Sequence, residues 1–398
     1  MGRGKTSAAI AYMAANMDKR RFIFITPYLK EVNRICENCD FEQPDSDHRT
    51  KLSEMKTLLA QRKNVATTHS LFYLLDEEAL MLIRKHRYSL IIDEEIETIR
   101  KVQLSKNDTN ILTELLTEEQ EDGRLVWKDP MYSGKFSECK EMADAGTLFR
   151  HDAAVLCIMR PDMLDAFEEV IMMTYLFGGQ YQRAYLDYFG FEYKICGIDD
   201  SNGFRFTDVP DSPPALNYKD MITIVEGAKF NDVGNGRYAL SKNWYENRGY
   251  DNEDIRRLRT NLNTFFRGKY GCSADKRIWT TFKTQIYKVD SPDRRFEPSF
   301  VQMSERATNE YRHRDHVAYL VNRFIDPNIK KFFSAKGIEV DEDQFALGEM
   351  LQFIWRSSIR DDKPITVYIP SSRMRKLLIG WIDSLCSEEA GTADLDNA

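Results

Sequence analysis

Short apolar runs alternate with helical patterns through the first third of the chain. The spacing of apolar residues at 5–16 predicts a helix, and the continuous apolar runs at 21–26 and 89–92 predict strands. Continuous apolar strands are typical of a parallel sheet that is covered on both faces. The alternation therefore predicts an α/β domain over residues 1–195. It also predicts strands at 64–68, 154–158 and 170–174. One further helix begins near 53, before the first of these strands, and another ends near 84, after it.

The same alternation returns after residues 196–215, a segment rich in Gly, Pro, Ser and Asp that we interpret as a linker. Residues 216–386 are expected to form a second α/β domain, followed by a disordered acidic tail at 387–398. The elements predicted here are helices at 253–267, 313–326 and 344–360 and from 371, with strands at 277–282, 299–303 and 364–369.

The pattern is lost between residues 114 and 145. This segment is acidic and contains glycine and proline, and we predict an irregular surface insertion in the first domain. Docking of a replication protein and simple decoration of the surface both fit its composition.

Charge and composition narrow the function classes. The chain has 398 residues with a formal net charge of −7, so any nucleic acid would have to lie in a local groove. No apolar run approaches the roughly 20 residues of a membrane-spanning helix, and we expect a cytoplasmic protein with no membrane partner. Cys36 and Cys39 form a lone C-x-x-C pair without a second pair at matching spacing, which favours two separate thiols over a zinc site.

A candidate phosphate-binding sequence opens the first predicted helix. Amides at a helix N-terminus and a nearby lysine bind the phosphates of a nucleotide, and a threonine hydroxyl is a ligand for Mg²⁺. We assign Gly2, Gly4, Lys5, Thr6 and Ser7 to ATP, and Thr6 also to Mg²⁺. A full phosphate loop has another glycine five residues before Gly4 and a strand before that. We therefore expect a truncated motif and a first domain that lacks its first strand.

A pair of carboxylates follows the apolar run at 89–92. Asp93 and Glu94 would lie at the carboxyl end of a strand, where α/β sheets bind their ligands. We assign Asp93 to Mg²⁺ and Glu94 to the activation of the attacking water. A solvated acidic turn is the alternative, and the phosphate-binding sequence upstream favours the nucleotide site.

Three polar residues recur at intervals of four near the C-terminus. Gln352, Arg356 and Arg360 would share one face of the helix predicted at 344–360. An arginine from a second domain can neutralise charge that develops on the γ-phosphate. We therefore predict a catalytic role for all three, and a solvent-facing stripe on a surface helix is the alternative.

Other patterns favour packing. Tyr181, Tyr185 and Tyr188 share helical spacing and are predicted to lie in the core or at an interface, with base stacking as the alternative. His313 and His316 fall in the helix predicted at 313–326, and without a surrounding set of ligands they favour packing over metal binding.

Taken together, these residues resemble superfamily 2 helicases, and among them the DEAD/DEAH-like proteins of phages and prophages. The resemblance covers nearly the whole chain. Its segments are similar to motif I (Gly4-Lys5-Thr6), Ia (Thr26-Pro27-Tyr28), the next strand-end motif (Thr67-Thr68-His69-Ser70), II (Asp93-Glu94-Glu95), III (Met173-Thr174-Tyr175), IV (Trp279-Thr280-Thr281), V (Arg306-Ala307-Thr308-Asn309) and VI (Gln352 to Arg360).

The resemblance implies two tandem RecA-like domains with parallel sheets, ATP and Mg²⁺ bound between them, and movement along nucleic acid, DNA in preference to RNA. Replication proteins are possible partners. The residues implied in nucleic-acid binding are Thr26, Pro27, Thr67, Thr68, His69, Ser70, Thr280, Thr281, Arg306 and Asn309.

Two other functions fit parts of the sequence. A phage terminase also has a phosphate loop and an acidic pair, and the segment from Cys196 to Asp199 is compatible with the first metal-binding strand of its nuclease domain. An adaptor that binds nucleic acid without hydrolysing ATP is the other alternative, and the truncated phosphate loop is its support.

Overall fold

The computed structural model describes residues 4–45, 50–201, 203–208, 217–268, 270–303 and 309–393. The chain divides into two compact units, each with its own sheet. Arg3–Asp211 and Asp326–Val340 form the N-terminal unit, and Ser212–Ile325 and Asp341–Ala398 belong to the C-terminal unit. No helix in the described ranges is long and apolar enough to span a membrane.

The N-terminal unit contains the elements that open the chain. Its strands are β1 (Arg21–Thr26), β2 (Val65–Thr68), β3 (Tyr88–Asp93), β4 (Ile99–Lys101), β5 (Thr117–Glu119), β6 (Leu125–Trp127), β7 (Leu148–His151), β8 (Ala154–Ile158), β9 (Glu169–Met173), β10 (Gly197–Asp199) and β11 (Arg205–Thr207). Its first helices are α1 (Lys5–Asn16), α2 (Leu29–Asn38), α3 (Lys51–Ala60), α4 (His69–Phe72), α5 (Glu77–His86), α6 (Lys106–Asn110), α7 (Ser137–Asp144), α8 (Asp162–Asp165) and α9 (Tyr181–Phe189).

The main sheet of this unit is parallel, with strand order β2-β1-β3-β9. The side chains of β1 and β3 are almost entirely buried, as continuous apolar strands require when both faces of a sheet are covered. Helix α1 packs through Ala8, Ala9 and Met13. The helix predicted at 5–16 and the strands predicted at 21–26 and 89–92 are confirmed.

The segment that follows β3 folds into a small module. Strands β4, β8 and β7 form an antiparallel sheet, and β5 and β6 form a hairpin. Leu112, Leu125, Trp127 and Leu148 belong to its apolar core. The prediction of an irregular insertion at 114–145 is therefore wrong, because apolar residues spaced between the acidic ones close a separate core.

The C-terminal unit has a second parallel sheet, with order β12-β15-β14-β13. Its strands are β12 (Ile222–Ile224), β13 (Arg277–Thr280), β14 (His316–Tyr319) and β15 (Ile365–Tyr368). The remaining helices of the chain are α10 (Tyr218–Met221), α11 (Ala228–Asn231), α12 (Lys242–Glu246), α13 (Glu253–Arg267), α14 (Ile286–Val289), α15 (Pro327–Ser334), α16 (Glu342–Ile354) and α17 (Ser372–Ala393).

Several predictions for this half fail. The helix predicted at 313–326 is replaced by β14, because an apolar run buried on both faces has no periodicity that separates strand from helix. The strand predicted at 299–303 is reduced to one bridge between Trp279 and Phe300. Part of the linker predicted at 196–215 forms the β10–β11 hairpin. The tail predicted to be disordered continues α17 as far as Ala393.

One segment from the second half of the sequence belongs to the N-terminal unit. Asp326–Val340, which we call the strap, lies between β14 and α16 in sequence but belongs to the N-terminal unit. Asp326 accepts a hydrogen bond from Asn328 N at 2.9 Å and so caps α15, with Pro327 at the first helical position. The sequence pattern predicted only a break at this proline.

Candidate nucleotide site at the edge of the N-terminal sheet

Helix α1 begins at a glycine in the left-handed region. Gly4 has φ 73°, and a Cβ at this position would collide with the ring of Phe204. Glycine is suited to both constraints. Because Gly4 has no side chain, it cannot cap the first amides of α1, which are the groups that bind anions at helix N-termini.

The carboxyl ends of the parallel strands meet at one edge of the sheet. Thr26 pairs with Thr68, and Asp93 pairs with Met173. Asp93 is only 9% exposed. Burial, with the nearby carboxylates of Glu94 and Glu31, raises the pKa of Asp93 to about 7, while Lys5 and Thr26 lower it. Lys5, in the first turn of α1, lines a cavity together with Met173, the strand partner of Asp93.

The polypeptide turns sharply after Asp93, at residues 93–96, which we call the acidic turn. Glu94 has φ 65°, an uncommon conformation for a residue with a side chain. Its N–H donates to Met173 O at 3.1 Å. Two residues later, Ile96 N donates to Gln182 Oε1 at 3.1 Å. Sequence analysis missed Gln182, since a single glutamine in a predicted helix carries no signal that distinguishes it.

Three residues predicted to contact nucleic acid lie inside the unit. Thr26 and Thr67 are buried, and the Thr26 hydroxyl lies 3.3 Å from Asp93 Oδ2. His69 is also buried, with Nε2 at 3.1 Å from Asp93 O. In this structure Thr26 and His69 therefore support the acidic residue.

Three other predicted contacts reach the surface of the same edge. Ser70 is exposed, while Pro27 and Thr68 are half-buried. Their binding of nucleic acid stays a prediction.

The predicted stripe of Gln352, Arg356 and Arg360 does not form. Helix α16 ends at Ile354, so Gln352 lies on the helix while Arg360 lies in a separate 3₁₀ turn. Ser357 contributes to this ending, because its hydroxyl donates to Ile354 O at 2.6 Å. The prediction of one helix over 344–360 is wrong.

Arg356 lies just beyond α16 and is 3% exposed. Its guanidinium donates to Gln302 O at 2.7 Å and to Met303 O at 2.6 Å. These bonds tie two segments of the C-terminal unit together. A role toward a phosphate stays a prediction for this residue.

Two further predicted residues of the C-terminal unit are buried. Thr280 and Thr281 are 0% and 1% exposed. Gly2, Arg306 and the side chain of Asn309 lie outside the described residues.

The alternative of a nuclease site concerns the segment from Cys196 to Asp199. In the described part of the chain, no three His, Cys, Asp or Glu side chains come together as ligands for a metal ion. Asp199 lies in the antiparallel β10–β11 hairpin, paired with Arg205 at 3.1 Å. Burial raises the pKa of the Cys36 and Cys39 thiols.

Two family models match parts of this chain. Residues 216–382 match the family model of the YonV C-terminal Rossmann-like domain. Residues 99–157 match the YonV middle domain, whose limits are close to those of the module from β4 to β8. Among solved structures, an apo XPD covers 95% of this chain and 93% of its own at 12% identity and a TM-score of 0.45. S. tokodaii Xpd4 covers 96% and 92% at 12% identity and a TM-score of 0.43.

A relative matches over almost its full length. The SPbeta prophage-derived uncharacterized protein YonV of Bacillus subtilis (strain 168) is 35% identical over 404 residues. The match covers 96% of this chain and 97% of the relative. The expectation of a protein of phage or prophage type agrees with it. The chain belongs to the YonV family.

Proposed function

We propose that the N-terminal unit binds ATP at the start of α1 and hydrolyses it with the acidic turn, in a motor that acts on nucleic acid. One observation carries the proposal. Lys5 and Met173 line one cavity, and Met173 is the strand partner of Asp93, so the first turn of α1 lies beside the end of β3. Phosphates bind at helix N-termini beside a lysine, and their Mg²⁺ takes a nearby carboxylate.

The donors in this region suit Mg²⁺. The ion usually takes one or two protein carboxylates and completes its shell with phosphate oxygens and waters. Asp93 is the buried carboxylate, and Thr6, in the first turn of α1, supplies a hydroxyl. A divalent cation would reverse the effect of burial and keep Asp93 ionised. Bound there, Mg²⁺ would neutralise charge on the phosphate oxygens.

The residues of this chain then divide the remaining work. Lys5 and the first amides of α1 bind the β- and γ-phosphates. Thr26 orients Asp93 through its hydroxyl. Glu94 accepts the proton of the attacking water.

Contact with nucleic acid would take place at the same sheet edge. Pro27, Thr68 and Ser70 are the accessible residues there, and hydroxyl contacts to a sugar–phosphate backbone position a strand without reading its sequence. We favour DNA over RNA. Arg356 would serve as the transition-state arginine only after its guanidinium leaves the carbonyls of Gln302 and Met303. Nucleotide binding would have to drive that rearrangement.

The test is phosphate release from ATP with and without single-stranded DNA, RNA or duplex. We expect turnover that a nucleic acid stimulates. Glu94→Gln should lower kcat by about 10²–10⁴-fold, the usual contribution of a general base, with nucleotide binding retained. Glu37→Gln, which changes an exposed carboxylate on α2, is the matched control and should stay within about threefold of the wild type.

Equal phosphate release by the wild type and the Glu94→Gln variant, on every nucleic acid, would refute hydrolysis at this site. Nucleic-acid binding that persists without any such turnover would favour the adaptor.

A further inference from the structure

Helix α9 contacts the acidic turn through one buried side chain. Gln182 is 0% exposed, and its Oε1 accepts the hydrogen bond from Ile96 N at 3.1 Å. The other backbone hydrogen bond of this turn joins Glu94 N to Met173 O, at the end of β9. The turn is therefore held at Glu94 by a strand and at Ile96 by a helix.

This second attachment matters because the turn is strained. Glu94 has φ 65°, and a left-handed conformation costs a residue with a Cβ about 1–2 kcal/mol. Such conformations persist only where the surrounding structure holds them. Without the bond from Ile96, the backbone after Glu94 has a lower-energy alternative in the right-handed region. The Glu94 carboxylate would then point in another direction.

The other faces of α9 are held by the strap. Asp326 N donates to the hydroxyl of Tyr181 at 3.2 Å. The guanidinium of Arg183 donates to Glu339 O, near the other end of the strap. In the middle of the strap, Phe332 stacks on the ring of Tyr188, with the ring centroids 4.7 Å apart and the ring planes at 25°. Three successive parts of α9 are thus fixed to the strap.

Both ends of the strap continue into the C-terminal unit, at Ile325 and at Asp341. A movement of that unit is therefore transmitted covalently to the strap, and through its contacts to α9. Because Gln182 lies on the same helix, a shift of α9 changes the position of its amide relative to Ile96. The path from the C-terminal unit to the acidic turn contains no gap.

We propose that Gln182 is a positioning residue for ATP hydrolysis, and that the strap regulates it by setting the position of α9. The proposal rests on the proposed function, since it assigns Glu94 as the group that Gln182 positions. Gln182 itself touches the backbone of the turn and supplies no proton.

The first variant is Gln182→Met, which keeps the volume of the side chain and removes the acceptor. We expect kcat to fall about tenfold while the affinity for a fluorescent ATP analogue changes less than twofold, because the phosphate-binding residues are untouched. Hydrogen–deuterium exchange at residues 94–96 should become faster. Gln182→Glu, whose buried carboxyl is expected to stay protonated and to keep an acceptor oxygen, should restore most of kcat.

Tyr185→Phe is the matched control on the same helix. It also loses one buried hydrogen bond, from its hydroxyl to Met159 O at 3.0 Å, but this bond ends outside the acidic turn. A similar loss of kcat in Tyr185→Phe and Gln182→Met would overturn the positioning role, because it would reflect general loosening of α9. Unchanged exchange at residues 94–96 in Gln182→Met would overturn it as well.

The strap is tested by Tyr188→Leu, which removes the stack on Phe332. We expect a fall in kcat of about threefold with faster exchange at residues 94–96, and no effect from Lys331→Ala on the exposed face of the strap. Normal kcat and exchange in Tyr188→Leu would refute regulation by the strap. If Glu94→Gln hydrolyses ATP normally, the proposed function fails, whereas the exchange data still report whether Gln182 holds the turn.

Discussion

The two parallel sheets each have four strands, yet their carboxyl edges differ in charge. The edge of the N-terminal sheet carries Asp93 and Glu94, beside a cavity that Lys5 and Met173 line. At the other sheet, the buried residues that follow the central strands are neutral. Asn322, for example, donates to Arg237 O and Ala239 O at 3.0 Å each. One edge leaves charge available to a ligand, whereas the other uses its polar groups to hold loops.

Two buried aspartates make the same distinction. Asp290, in the C-terminal unit, accepts hydrogen bonds from the backbone N–H of Ser291 at 2.6 Å and of Phe296 at 3.2 Å. Burial raises its pKa, and these backbone donors oppose the rise. Among the described residues, Asp93 receives a side-chain hydrogen bond from Thr26 alone. The carboxylate of Asp290 is thus bonded to the backbone of its own loop, whereas that of Asp93 receives one side-chain hydrogen bond at the edge where the parallel strands end.

The largest expected effect separates these aspartates in function. Asp93→Asn should lower Mg²⁺-dependent ATP hydrolysis at least about hundredfold, because a neutral amide is a weak ligand for a hard cation. Asp290→Asn should leave hydrolysis within about twofold. Steady-state phosphate release at several Mg²⁺ concentrations measures both. Equal losses in the two variants would mean that the sheet edges do not differ in the way proposed.

The next effect concerns pH and stability. In metal-free protein, the pKa of Asp93 rises from 3.8 in the unfolded chain to about 7 when folded. Between these two pKa values the folded state binds a proton that the unfolded chain has lost. The free energy of unfolding therefore falls as the pH rises through this range, by up to about 4 kcal/mol. Asp93→Asn removes the penalty, so its gain in Tm over the wild type should be larger at pH 8 than at pH 5. Thermal unfolding in EDTA checks this, and an equal difference at both pH values would contradict it.

A smaller loss of stability is expected from the other aspartate. Asp290→Ala leaves the buried N–H groups of Ser291 and Phe296 without their acceptor, at a cost of about 2 kcal/mol. Urea unfolding followed by fluorescence measures the change. Asp290→Asn keeps an acceptor oxygen and is the control. A neutral result for Asp290→Ala would show that water replaces the carboxylate in this loop.

The smallest effects compare two buried threonines. Thr26→Val removes the hydroxyl that lies 3.3 Å from Asp93 and should destabilise the protein by about 1 kcal/mol or less. Thr280 has a fully buried hydroxyl with no hydrogen-bond partner among the described residues. Thr280→Val should therefore be neutral or slightly stabilising. Chemical denaturation measures the change in unfolding free energy, and changes of opposite sign in the two variants would support the comparison. Destabilisation by both substitutions would place a bound water at Thr280.

Some features were predictable because their signals are local. The helix that begins at Lys5 and the strand that ends at Asp93 follow from the spacing of apolar residues over a few turns or a few residues. The place of Asp93 at the carboxyl edge follows from parallel pairing, since all strands of such a sheet end on the same side. The position of this carboxylate was therefore readable from the sequence, while its role stays a prediction.

Other features depend on contacts that are distant in sequence. The apolar run around Val317 became a strand only because β13 and β15 flank it. Arg356 left the predicted stripe because α16 ends two residues before it and two backbone carbonyls accept its guanidinium. Local periodicity does not contain this information.

The sequence by itself determined two parallel α/β sheets and the polar residues at the end of β3. Tertiary structure alone decided that Gln182 holds Ile96 and that the strap joins the N-terminal unit. The physical reason is the range of the interactions involved. Helices and strands are encoded by neighbours a few residues apart, whereas a buried amide finds its partner only after the surrounding core has closed.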